Sequence, residues 1–128
     1  MYQLKNFLKR RKFLKSANAL DLVPVPIVKH ELNEEGFVKL LIPRFQNKFL
    51  KNFFIGNNRS NEFKISLDEI GSFVWLSIDG HKTTGDITEE LRNLLEIKNL
   101  RSDSIEERVV AFISKLYREK YVTFVGLY

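Results

Sequence analysis

Apolar and polar residues alternate with two different periods along this chain, and the change of period marks its parts. Val25-Pro-Ile-Val-Lys-His-Glu31 and Phe37-Val-Lys-Leu-Leu-Ile42 are β-rich runs, with Asn33-Glu-Glu-Gly36 between them. They predict an antiparallel hairpin with a loop of about four residues. Pro43 ends the second run, and Leu22-Val-Pro-Val-Pro26 enters the domain extended, because neither proline suits a helix interior. Asn61-Glu-Phe-Lys-Ile-Ser66 alternates again, with Phe63 and Ile65 on one side and Glu62 and Lys64 on the other. That alternation predicts a third strand.

From here the period becomes helical. Leu67, Ile70, Val74 and Ile78 share one face, and Phe73, Trp75 and Leu76 add apolar surface elsewhere. A helix apolar most of the way round is central and buried. Ser66 and Glu69 have capping-box spacing at its start, and Asp79-Gly80 supplies its stop. Thr83 or Thr84 caps a second helix with Ile87, Leu91, Leu94 and Leu95 on its apolar face. Ser104 and Glu107 suggest another capping box, before a third helix striped by Ile105, Val109, Phe112, Ile113 and Leu116. Tyr121-Val-Thr-Phe-Val125 reads as a terminal strand or an extended tail.

Phe45, Phe49, Leu50, Phe53 and Phe54 have helical spacing and predict a short helix within residues 44–60, either as core or as a partner surface. The elements run β-β-(α)-β-α-α-α. This is an α+β domain over residues 21–128: a small antiparallel three-stranded sheet followed by three helices. An arm, residues 1–20, precedes it.

Composition narrows the possibilities. A chain of 128 residues fits one domain, and the lack of cysteine excludes a disulfide scaffold and any cysteine metal site. No apolar run reaches the ~20 residues of a membrane span, and the charged start lacks a signal-peptide core. A cytoplasmic location is the expectation. The net charge is +5, but residues 1–16 alone carry six basic residues and no acid, leaving 15 basic and 16 acidic residues elsewhere. The basic arm interleaves Leu4, Phe7, Leu8, Phe13 and Leu14. It reads as a segment that touches an anionic membrane or nucleic acid, or as an extension docking a few apolar residues on the body.

Catalytic chemistry is scarce. His30 and His81 are the only histidines and lie in different elements, so no metal is expected. Asp68 and Glu69 diverge on a helix and suit its positive end. Gly80-His-Lys-Thr-Thr-Gly85 lacks phosphate-loop spacing and joins two helices. No nucleophile, base and orienter come together, so neither an enzyme nor a cofactor is expected. Helices beside a small sheet also suggest a DNA-binding winged helix. However, the link between the second and third helices is too long for a simple helix-turn-helix, and the third helix is barely positive. That reading remains an alternative, as does a structural partner subunit of a larger enzyme.

Leu67-Asp-Glu-Ile-Gly-Ser-Phe-Val-Trp-Leu-Ser-Ile-Asp-Gly80, then Lys82-Thr83 and Ile87, then Glu107-Arg-Val-Val-Ala-Phe-Ile-Ser-Lys-Leu116, resembles the coenzyme PQQ synthesis protein D family. The resemblance covers residues 61–121 well and the hairpin loosely. It implies a winged-helix-like peptide chaperone; separately, a monomer or weak dimer is the expectation. Such a protein binds the leader of a ribosomally made precursor peptide and presents it to a modifying enzyme, often of the radical S-adenosylmethionine type. The leader would add as a strand to the third strand and lie against the third helix. Glu62, Phe63, Lys64 and Ile65 would then form the pairing edge. Phe63 or Ile65 would pack apolar anchors together with Phe112 or Leu116, and Lys64, Arg108 and Lys115 would meet acidic leader residues. Ile65→Pro is the expected disruptive change, provided that its backbone donor faces the open edge.

Overall fold

A computed structural model of the chain describes residues 18–43 and 62–127. The arm before Asn18 and the expected helix within residues 44–60 lie outside these. The described residues group into two compact units, Val28–Trp75 and the remainder on either side of it.

Unit Val28–Trp75 holds the predicted three-stranded antiparallel sheet, β2 (Lys29–Leu32), β3 (Val38–Pro43) and β4 (Glu62–Ser66), in that order. The hairpin loop closes on Asn33, whose side chain accepts the N–H groups of Glu35 and Phe37 at 2.8 and 2.9 Å. His30 lies opposite Leu40, and Leu40 opposite Ile65, while Ile42 lies opposite Phe63. These side chains therefore share one face, since directly opposed residues point the same way. Val38, Leu40 and Ile42 on that face are buried.

Helix α1 (Glu69–Ser77) follows β4 at once. Its cap is Asp68, not Ser66: the Asp68 carboxylate accepts the Gly71 N–H at 2.7 Å, and its carbonyl accepts the Ser72 N–H at 2.8 Å. Ser66 is held extended opposite Lys39, and even Leu67 still donates to the Val38 carbonyl at 2.9 Å. The ladder delays the helix start to Glu69, which leaves Ser66 two residues upstream of the cap position. Val74, Trp75 and Ile78 are buried, whereas Leu76 is exposed, and Leu67 and Ile70 are half-buried. The Ser72 hydroxyl accepts the Val38 N–H at 2.8 Å. Gly80, at φ +82°, ends the segment, and the Asp79 carboxylate accepts the His81 and Lys82 N–H groups at 2.8 and 2.9 Å. Those bonds, Lys82 first, hold the Asp79 carboxyl below its usual range.

The other unit contains a two-stranded antiparallel ladder, β1 (Pro24–Pro26) and β5 (Val122–Phe124), which the linear reading did not foresee. The run Val25–Glu31 is thus two strands and not one. Ile27 still donates to the Tyr121 carbonyl at 3.0 Å, and by Lys29 the chain has joined the other sheet. Helix α2 (Thr84–Ile97) begins with a true capping box, in which Thr83 and Asp86 exchange hydrogen bonds. Thr84 donates to the Leu22 carbonyl from both its N–H and its hydroxyl, at 2.8 and 3.1 Å. Gly85 packs closely there: a Cβ would lie 3.2 Å from the Leu20 carbonyl oxygen, so that segment would have to give by a few tenths of an ångström.

Helix α3 (Ile105–Arg118) buries Ile105, Val109, Ile113 and Leu116, as its stripe predicts. Its expected capping box is not present. Ser104 sits at φ 56° and makes no side-chain cap bond. An N-cap needs an extended backbone to bring its hydroxyl onto the first turn, and a left-handed one does not.

Candidate functional site

The hydrogen-bond phase of the sheet decides what β4 offers. Leu67 donates to Val38 across the β3–β4 ladder, and Asn33 donates to Phe37 across the β2–β3 ladder. In antiparallel pairing the bonded positions alternate. Residues 63, 65 and 67 therefore turn their backbone groups toward β3, while Glu62, Lys64 and Ser66 turn theirs away. Among the described residues, β4 pairs with β3 alone. The outward backbone of Lys64 and Ser66 thus faces a side where no described strand lies. This corrects one expectation: the donor of Ile65 belongs to the β3 ladder and not to the open edge.

Side chains on this edge divide by face. Phe63 and Ile65 lie with Leu40 and Ile42 on the apolar face, and Phe63 remains 40% exposed. Lys64 lies on the opposite face and forms an ion pair with Glu31 at 2.7 Å. The hydrogen bond from Lys64 lowers the Glu31 carboxyl from its usual value, and Glu31 in turn raises the Lys64 ammonium. Both side chains are about half exposed, so the pair holds Lys64 in place more than it stabilises the fold.

Behind the apolar face, the Trp75 indole N–H donates to His30 Nδ1 at 3.1 Å, and the rings meet edge-on. A neutral His30 accepting at Nδ1 carries its proton on Nε2. Sequence reasoning assigned His30 to a strand face but missed this partner and also Glu31. Nothing in the linear spacing joins residues 30 and 75; only the register does.

The remaining expected site residues lie on α3, in the other unit. Arg108 and Lys115 are exposed and Phe112 is half-buried, all on one flank of the helix. Leu116 is only 4% exposed and belongs to the core of its own unit. Among the described residues no group of three or more His, Asp or Glu could hold a metal ion, and no helix is long and apolar enough to cross a membrane.

An α+β protein with a three-stranded sheet, a capped helix directly after its edge strand and two further amphipathic helices is the class that these features define. The sequence model of the coenzyme PQQ synthesis protein D family matches residues 57–122, just over half of the chain, so the chain belongs to that family. The match takes in β4, α1, α2, α3 and the start of β5. No curated protein and no solved structure matches the chain. Family membership carries a coarse role, that of a peptide-binding accessory protein associated with PQQ-type biosynthesis.

Proposed function

We propose that this protein is a non-catalytic cytoplasmic chaperone for the leader segment of a ribosomally made precursor peptide. The leader pairs as an added strand with the outer side of β4, and the complex is presented to a modifying enzyme of the radical S-adenosylmethionine type. The observation that supports this best is the outward backbone of Lys64 and Ser66 on a strand with one described neighbour. Strand addition draws affinity from such main-chain groups and selection from pockets for alternate side chains. Here the exposed part of Phe63, with Ile65, offers an apolar contact on one face. On the other face an acidic leader side chain would compete with Glu31 for Lys64. Arg108, Phe112 and Lys115 enter the proposal as a second set of leader contacts, with Leu116 as support beneath them.

Titration of the full chain with precursor peptides encoded near its gene, followed through backbone amide resonances, tests the reading. The largest shifts are expected at Lys64 and Ser66, with smaller ones along α3. Saturating peptide with no movement in residues 62–66 would overturn it. Salt-sensitive shifts with duplex DNA in place of peptide would favour the nucleic-acid alternative.

A further inference from the structure

Helix α3 has a second exposed flank, and it differs from the first in charge. Arg108 and Lys115 mark one side. Glu106, Glu107, Val110 and Ala111 line an open cleft of about 420 Å³ that starts opposite Arg108, at Glu106 and Val110, and reaches round to Ala111, with its far wall at Asn18, Ala19 and Leu20. At 3.6 residues per turn, Val110 stands about 160° around the helix from Arg108. The cleft adjoins a smaller cavity of about 140 Å³, which shares Ala19 and Val110 and is floored by Ile113 and Phe124. An apolar floor is therefore rimmed by two carboxylates, and no described residue pairs with either of them. Their place in the first turn of α3 suits the helix dipole, which explains the charges but not the recess beside them.

The wall of the cleft is the point where the chain before Asn18 joins the body. Residues 1–17 carry Lys5, Lys9, Arg10, Arg11, Lys12 and Lys15 with no acid, interleaved with Phe13 and Leu14. Leu14 is four residues from Asn18, so an extended chain brings it anywhere within roughly 14 Å. Glu106 to Ala111 spans only about 7.5 Å along the helix axis. Charge, apolar content and tether length agree on one occupant.

We propose that the basic arm of the same chain seats in this cleft, with its apolar residues on Ala19 and Val110 and its lysines against Glu106 and Glu107. The arm then occupies the flank of α3 that carries Glu106 and Val110, about 160° from Arg108. The inference does not depend on the leader-binding reading.

The absence of cysteine makes the test direct. In the full-length chain, Leu14→Cys is combined with either Val110→Cys or Arg108→Cys, and disulfide formation is timed under mild oxidation. An intramolecular cross-link to position 110 about tenfold faster than to position 108 is expected. Adding Glu106→Gln and Glu107→Gln should reduce that preference. Equal rates, no cross-link at position 110, or disulfide-linked dimers as the main product would each overturn the proposal; dimers would assign the cleft to the arm of a second copy. Should Val110→Cys fail to fold, Glu106→Cys, which also stands about 160° from Arg108, repeats the test, with Glu107→Gln as the charge variant.

Discussion

Strands β1 and β4 each have one described strand neighbour, yet their outer sides are chemically different. In the β1–β5 ladder Ile27 donates to Tyr121 and Val125 to Val23, so the bonded positions are 23, 25 and 27. Pro24 and Pro26 fall between them and face outward, where their missing N–H costs the ladder nothing. On β4 the outward residues are Glu62, Lys64 and Ser66, and each has an N–H. Proline on an outer side blunts an edge against further pairing. The same chain therefore protects one edge and leaves the other able to accept a strand. The phase of the hydrogen bonds makes that difference, not the amount of strand.

The strongest way to break this contrast is to remove what lies behind the sheet. Trp75 is 2% exposed and bonded to His30, and Trp75→Ala should cost about 3–5 kcal/mol. Chemical denaturation, with amide exchange at Leu40 and Ile65, reads the loss; undiminished protection would mean that Trp75 does not support the sheet. Next is the edge itself. Lys64→Pro should leave the fold intact but weaken leader binding about tenfold or more, since one main-chain bond is worth ~1 kcal/mol and the ring also obstructs the incoming strand. Ile65→Pro should instead disrupt the β3–β4 ladder, visible as a lower melting temperature without any peptide. Equal behaviour of the two variants would show that the phase assigned to β4 is wrong.

A smaller effect sharpens the comparison from the other side. Pro26→Thr returns an outward donor to β1, and sedimentation should then detect weak concentration-dependent association, with leader affinity unchanged. The smallest effect is that of pH. Glu31 is lowered by its bond from Lys64, so its contribution is present above its usual value of 4.5 and is lost as pH falls through the lowered one. Lys64 is raised, so its contribution is complete below 10.5 and is lost as pH rises through the raised value. Between pH 6 and 3 the parent should lose slightly more stability than Glu31→Gln. Identical acid profiles would show that the pair adds nothing.

Much of the architecture was legible because its signals are local. The stripe of α3, the alternation of β4 and the glycine at Asn33–Gly36 each report on their own segment. Most errors came where a distant partner decides the outcome. Ser66 has a sound capping interval, yet pairing with Lys39 holds it in a strand, and Asp68 takes over the cap. Ser104 has the same interval and a backbone turned the wrong way. The run Val25–Glu31 looks uniform, but its two halves answer to β5 and to β3. Alternation marked β4 as a strand, whereas the residues that turn its donors away from β3 required the register of two ladders.

The Ser72 hydroxyl, which takes the Val38 N–H where a strand carbonyl would otherwise stand, constrains how this chain can drift. Its partner is main chain, identical for every residue except proline. No change at position 38 can compensate for a change at position 72, so the two positions need not covary. A contact map inferred from paired substitutions would miss this tie between strand and helix, although 34 residues separate its ends. Only the intolerance of position 72 itself would record it: alanine there strands a buried donor, and a larger side chain must fit a site that is 4% exposed.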